Sequence, residues 1–363
     1  MPKATEPYDG LIQGLHHITL VTTNEEVNRR FYTEVLGLRR VKLTVNQDDI
    51  HHRHLFYADE KGTTGSAITF FEWPHMRPGR VGLGSPHHLS YLTAKFGSLS
   101  KWHSWLRQNK VSVNGPLVRD SRTSIYLRDP DGVTVEITAA NEGEISQEYA
   151  QESFRSPTTV GEITGDMKLT TFHHASPLTY DPDVTGKFFD KFLGLTEKFM
   201  IPNPDQKGTK ILGIGSEARP GFLRYLTTDG PLEGYVGEGS IHHIAVAVED
   251  DEAQQKILKR LNEVGVENSG IIDRFWFHSL YFRDPDGNLL EVATKNPGYS
   301  ADEPLEKLGT SLVLPKWLEP RRSEIESALK LTDSNNLAQW PPKYPEVPSP
   351  PEALTKHGSK RDW

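Results

Sequence analysis

A chain of 363 residues with no cysteine and a formal net charge of −8 excludes disulfide staples and thiolate ligands, so any metal must sit on nitrogen and oxygen donors. The acidic balance, without a basic stripe, argues against nucleic acid or an anionic membrane as partner. No apolar run approaches a membrane span, and the opening MPKATEPYDG lacks the apolar stretch of a secretory signal, so a cytoplasmic address is expected.

Four modules follow one another. Module one runs from about Leu11 to Trp73: HITLVT alternates as a strand, residues 24–36 carry helical spacing through Val27, Phe31 and Val35 up to Gly37, and HLFYAD and SAITFFEW read as strands. Module two, about Val81 to Ala140, has the strand HHLSYLT, a helix over 98–109, and the strands TSIYLRD and VTVEITA joined by Asp-Pro-Asp-Gly, strong turn chemistry. Residues 141–166 are polar and aperiodic, as a linker would be. Modules three (about 168–228) and four (about 239–295) replay the scheme, the last with the strand IHHIAVAV and a helix over 251–264 ended by Gly265. After residue 296 the pattern stops, and the Pro-dense 340–351 is expected either disordered or laid on a surface as extended chain.

Each unit reads β-α-β-β-β, so the expected class is α+β. The expected division is 11–140 (modules one and two), linker 141–166, 167–296 (modules three and four) and an extension over 297–363.

A His-His pair opens the first strand of every module, at His16-His17, His87-His88, His173-His174 and His242-His243. Two copies end alike: YLRDPDGVTVEI at 126–137 and YFRDPDGNLLEV at 281–292 put Glu136 and Glu291 each 48 residues after His88 and His243. The other two share FYTEVLGL at 31–38 and FFDKFLGL at 188–195. Two histidines and a carboxylate with open positions form the facial arrangement of non-haem Fe(II) oxygenases. A glutamate on a module's last strand can meet a histidine on a first strand if the sheet curls into a cup. Spacing leaves the partners open. Pairing within halves gives His17/His88/Glu136 and His174/His243/Glu291. Pairing across them gives His17/His243/Glu291, with His174/His88/Glu136 as its inner counterpart. Glu136 alone reads more simply as part of a structural turn and strand.

The modules resemble the vicinal oxygen chelate superfamily, which includes glyoxalases and extradiol dioxygenases. The chain is most similar to its hydroquinone-type ring-cleaving dioxygenases, through GLHHIT at 14–19, LGLRRVKLTVNQDD at 36–49, ITFFEWP at 68–74, IHHIA at 241–245, the run 271–299 and LVLPKWLEPRR at 312–322. The resemblance implies two glyoxalase/extradiol-dioxygenase-like domains with cupped mixed sheets. It implies Fe(II) on His17, His243 and Glu291, catalytic roles for His242, Arg274 and Tyr281, and substrate-facing places for His16 and Thr19. Thr19 shares a strand face with His17, whereas alternation turns His16 and His242 away unless the strand is bulged.

The implied reaction is ring cleavage of a 1,4-dihydroxybenzene, with O2 inserted next to an iron-bound phenolate. The partners are then a small aromatic substrate and O2; a homo-oligomer is expected, of unspecified order. Two alternatives compete: a glyoxalase-type metal-dependent lyase or isomerase, which usually needs a second carboxylate as base, and a metal-free aromatic-binding or resistance protein. His51, His52 and His54 read as an exposed polar strand edge. Phe70, Phe71 and Trp73 read as packing, and Trp102 and Trp105 as a buried helix stripe.

Overall fold

The computed structural model describes residues 10–119, 121–155, 159–195, 198–215, 221–230, 232–335, 339–352 and 354. Module one supplies β1 (Leu15–Thr22), α1 (Glu25–Arg30), β2 (Arg39–Asn46), β3 (Asp49–Ala58) and β4 (Ala67–Glu72). The Asn24 side chain caps α1 by accepting from the Val27 N–H. The single helix expected over 24–36 changes pitch at Phe31. Residues Phe31–Val35 continue as a π-turn, which brings Phe31, Tyr32 and Val35 together into the core. Module two supplies β5 (His88–Leu92), α2 (Phe96–Gln108), β6 (Val113–Arg119), β7 (Arg122–Arg128) and β8 (Thr134–Ala140).

The stretch expected as a linker contains a helix, α3 (Gln147–Arg155). Its Tyr149 and Phe154 rings pack on Phe96, 6.0 and 5.7 Å away between centroids. Its buried face is short, Ala150 and Phe154 one turn apart, among otherwise polar residues.

Module three supplies β9 (Thr171–Ser176), β10 (Leu178–Thr179), α4 (Pro182–Leu193), β11 (Lys198–Pro202), β12 (Lys210–Ile214) and β13 (Phe222–Thr227). Module four supplies β14 (Ile241–Val248), α5 (Asp251–Val264), β15 (Asn268–Asp273), β16 (His278–Arg283) and β17 (Leu289–Thr294). Helix α5 coincides with its expected span: Asp250 caps its first turn, Ala253, Ile257 and Leu261 face the core, and Gly265 closes it at φ 75°. Among the described residues no helix is long and apolar enough to cross a membrane.

The strands form two curled mixed sheets, and neither belongs to one half of the sequence. One runs β15-β16-β17-β14-β1-β4-β3-β2, joining modules four and one. The other runs β11-β12-β13-β9-β5-β8-β7-β6, joining modules three and two, with β10 alongside β13. The halves 11–140 and 167–296 are repeats in the sequence, while the sheets are assembled across them. One core cluster includes Leu20, Phe31, Leu89, Trp102, Phe172, Leu223, Ile257 and Leu290, drawn from all four modules. The two crossovers between modules also touch: a Cβ on Gly82 would lie 2.3 Å from the Gly234 nitrogen.

Described residues after module four pack back on the fold. Helix α6 (Arg322–Asn335) packs Ile325 and Leu329 with Val45 and Ile50 behind β2 and β3. The described residues 339–352 then run on without helix or strand, with Tyr344 buried against Phe31.

Each Asp-Pro-Asp-Gly turn is anchored through its first aspartate. Asp284 Oδ1 accepts from the Asp286 and Asn288 N–H groups, and Oδ2 accepts from the Tyr225 hydroxyl at 2.7 Å and the Asn288 amide at 2.8 Å. Asp129 does the same work for Val133 and the Tyr32 hydroxyl. Asp284→Ala strands two buried side-chain donors, so it is expected to cost about 2–4 kcal/mol in denaturant unfolding. A loss within about 0.5 kcal/mol, the range of neutral surface changes, would contradict this account of the turn.

Candidate metal centre and its cavity

Strand register places the first candidate site. In the antiparallel pair β1·β14, His17 stands opposite Ala245 and Thr19 opposite His243; in the parallel pair β14·β17, Ala245 stands beside Glu291. Residues in register share a sheet face. His17, His243 and Glu291 therefore converge over the small Ala245 side chain, and Tyr281, in register with Glu291, joins the same face.

His17 Nε2 and His243 Nε2 are 3.4 Å apart, and Glu291 Oε2 lies 3.4 and 2.9 Å from them. All three residues are at most 3% exposed. Glu291 Oε1 accepts from Ser279 Oγ at 2.6 Å, but the buried Oε2 has no hydrogen-bond partner. Ligand atoms about 2.1 Å from one ion stand about 3.0 Å apart at right angles and about 3.4 Å apart at the tetrahedral angle. The triad has the edge lengths of a metal site, built from nitrogen and oxygen donors with an orphaned carboxylate oxygen aimed inward. These residues fit a divalent cation.

The doubled histidines have a geometric reason. Register slips by one residue between Leu15 and His17, and again opposite the step from Thr19 to Leu20, so His16 and His242 are the extra residues of two β-bulges. Each turns its ring onto its neighbour. His16 Nδ1 is 2.9 Å from His17 Nδ1, and His242 Nδ1 is 2.8 Å from His243 Nδ1. Burial, helped by the adjacent imidazole, pushes both His16 and His242 down to about 3, so both stay neutral. A neutral His16 or His242 can accept from the neighbouring Nδ1–H, and the ligand ring would then present its Nε2 lone pair to a bound cation.

The triad opens on a cavity lined by Phe56, Phe71, Trp276 and Phe277 and by His54, Arg274 and Tyr281. Of the residues expected at the site, His17, His243, Arg274 and Tyr281 line this cavity and Glu291 sits beneath them. His16, His242 and Thr19 do not line it. Thr19 hydrogen-bonds Thr69 Oγ1 at 2.7 Å, and Thr69 in turn meets His54 Nε2 at 2.9 Å.

Arg274 is gripped by both Asp48 oxygens, at 3.1 and 2.7 Å, and its guanidinium stands 5.7 Å from the Tyr281 ring centroid. Burial alone would lower the Arg274 pKa, but Asp48 and Tyr281 outweigh it. Burial, then the Glu291 charge, raises the Tyr281 phenol, which keeps its proton. Although burial opposes ionisation of Glu291, His17 and His243 hold its carboxyl well below the usual range.

His54 is the residue that sequence reasoning placed wrongly. His51 and His52 are the surface residues expected, hydrogen-bonded to Glu324 and Asp49. His54 instead faces the cavity between Phe56 and Phe71, and burial, then the neighbouring His17 imidazole, pushes its pKa well below the ordinary value. The signal was its place in the strand: in register with Phe71, it falls on the triad's face of the sheet.

A second cluster lies in the other sheet, where His88, Glu136, His174 and Glu352 offer ligand atoms all within 4.8 Å of one another. Glu136, expected to be structural, meets both histidines.

Comparison with known proteins agrees with this architecture. The sequence model of the family described as "Glyoxalase/Bleomycin resistance protein/Dioxygenase superfamily" matches residues 14–137 and 171–292. The "Putative ring-cleaving dioxygenase MhqA" of Bacillus subtilis (strain 168) is 32% identical over 88% of this chain and 98% of its own length. The "Chlorohydroquinone/hydroquinone 1,2-dioxygenase" of Sphingobium indicum is 28% identical over 86% of this chain and 95% of its own. A solved structure of a "putative dioxygenase" from Bacillus subtilis subsp. subtilis aligns at TM-score 0.74 with 31% identity, over 87% of this chain and 96% of that one.

The bulged histidines predict a binding phenotype remote from substrate. His242→Ala is expected to weaken Fe(II) binding at this centre about 10–100-fold in anaerobic titration, the usual cost of removing a group that orients a ligand. Unchanged affinity would mean that the ring only packs.

Proposed function

The chain belongs to the glyoxalase/bleomycin resistance protein/dioxygenase superfamily, and from that premise we propose that it is an Fe(II)-dependent dioxygenase cleaving the ring of a hydroquinone-type aromatic. The observation that carries this reading is the single-carboxylate centre of His17, His243 and Glu291 at the floor of an aromatic-walled cavity. One glutamate with an open face favours dioxygen chemistry over a glyoxalase-type isomerisation, which calls for a second carboxylate as base. Bound there, ferrous ion supplies the one-electron and dioxygen chemistry. The similarity to the hydroquinone dioxygenase of Sphingobium supports a 1,4-diol as substrate class.

The protein's own groups do the rest. Phe56, Phe71, Trp276 and Phe277 take the flat ring and exclude water. Trp276 is fixed by its indole N–H, which donates to Asp302 at 3.0 Å. The Arg274 guanidinium, held by Asp48, stabilises negative charge that develops on substrate oxygens. Tyr281 donates its phenolic proton as a hydrogen bond to the same region.

Resemblance implies an acid-base role for His242, but the imidazole on the cavity wall is that of His54. His242 stands behind His243, whereas His54 is neutral, faces the cavity, and is wired through Thr69 to Thr19. His54, kept neutral by burial, hydrogen-bonds the substrate hydroxyl and orients it over the metal centre. His16 and His242 act by orienting ligands.

Oxygen uptake by the protein reconstituted anaerobically with Fe(II), assayed on a panel of hydroquinones and catechols, tests this reading. Hydroquinones should drive uptake of one O2 per ring opened, and silence with every ring diol would end the proposal. His54→Ala is expected to keep its iron and lose about 10²-fold or more in kcat. An unchanged kcat would remove His54 from the chemistry.

A further inference from the structure

The inner cluster repeats the outer one to the level of its supporting residues. Glu136, Tyr126 and Arg119 precede Glu291, Tyr281 and Arg274 by 155 residues each, and Asp205 follows Asp48 by 157, the same interval as His17 to His174. The contacts repeat as well. Arg119 Nη2 pairs with Asp205 Oδ2 at 2.6 Å, as Arg274 pairs with Asp48. His88 and His174 bond through Nδ1 to His87 and His173, both at 2.8 Å.

The two Nε2 atoms face each other at 3.2 Å, and Glu136 Oε2 lies 3.2 Å from His174 and 3.7 Å from His88. That oxygen is buried and has no hydrogen-bond partner, like its counterpart on Glu291.

The difference lies on the open side. Where the outer triad faces its cavity, the inner one meets the fully buried carboxylate of Glu352, delivered by the C-terminal chain. Glu352 Oε1 is 3.3 Å from His88 Nε2 and accepts from the Tyr126 hydroxyl at 2.8 Å, while Oε2 accepts from Arg224 at 2.9 Å. Arg224 occupies the strand position that Thr69 holds in the outer sheet: Arg224 lies two residues beyond Phe222, the partner of His174, and Thr69 two beyond Ala67, the partner of His17. The inner copy carries an arginine that clamps a second carboxylate, the fourth member of the cluster.

We propose that His88, His174, Glu136 and Glu352 form a second, closed site for a first-row divalent cation such as Zn2+ or Fe2+. Two nitrogens and two oxygens complete a four-coordinate shell, and a shell complete in protein ligands marks a structural site, not a catalytic one. Its role is to tie the C-terminal chain to the inner sheet, since a ligand on that chain is held wherever the ion is held. Substrate is excluded because Glu352 fills the position through which the outer centre is reached.

The inference stands apart from the dioxygenase reading, and metal stoichiometry separates the two. The full chain, stripped and dialysed against Zn2+, should retain two ions. His17→Ala should retain one, and His88→Ala should retain one. In the His17→Ala background, Co2+ should give the intense visible bands of a four-coordinate ion, and Glu352→Gln should weaken retention by about tenfold or more. Zn2+ should raise the thermal midpoint of His17→Ala, and Glu136→Gln should abolish that rise. Circular dichroism verifies that each variant is folded; for a variant that is not, the Zn2+-dependent midpoint of Glu352→Gln alone against wild type gives the same answer. One ion in wild type that survives His88→Ala but not His17→Ala would overturn the inner site and leave the outer one standing. One ion with the opposite pattern would support it while removing the outer centre.

Discussion

Two imidazole nitrogens and a carboxylate oxygen, buried and within 3.4 Å of one another, form the constraint on which the outer sheet depends. Burying a carboxylate away from water is costly unless positive charge compensates it, and a cation held between these three atoms would supply that compensation. The surrounding features serve this one point. Ala245 leaves room between His17 and Glu291, the bulges turn His16 and His242 onto the back of the ligand rings, and Ser279 occupies the other oxygen of Glu291.

Much of this was legible in the chain. The fourfold His-His pair and the two fixed-distance glutamates announced metal ligation, and the alternation and turn signals gave the module scheme. The partners could not be read from spacing, because the pairing of β1 with β14 is a contact between residues more than 220 positions apart and the repeat makes every combination arithmetically equivalent. Resemblance pointed to His17, His243 and Glu291, and the structure brings those three together. Strand alternation turns His16 and His242 away from the ligand face, and bulges are how the fold accommodates them.

What stayed hidden has physical reasons. His54 sits in a polar run, DDIHHRHL, where composition suggests an edge; only its register with Phe71 reveals the cavity face. Glu352 lies in a Pro-dense segment with no periodicity, and its burial depends on two arginines, Arg119 and Arg224, from different modules. Lys42 is similar: a fully buried lysine in a strand, neutralised by Asp302 and Glu303 from the segment after module four. Contacts made by the C-terminal extension leave no trace in local pattern.

Duplication followed by divergence accounts for the asymmetry between the sheets. Both carry the histidine pairs, the glutamate, and the Tyr, Arg and Asp support. The outer sheet keeps Thr69 and His54 on its face and an open cavity. The inner sheet has Arg224 in the place of Thr69, and the C-terminal chain fills the space above it. One copy is thereby left free for a ligand from solution and the other is committed to a ligand from its own chain.

The most direct test of the central claim is an anomalous-difference map at the iron edge, from crystals grown with ferrous ion in the absence of oxygen. The account predicts a peak about 2.0–2.2 Å from His17 Nε2, His243 Nε2 and Glu291 Oε2, with the side toward Arg274 and Tyr281 free of protein ligands. Density elsewhere in the outer sheet, or none between these three atoms in iron-loaded crystals, would contradict it.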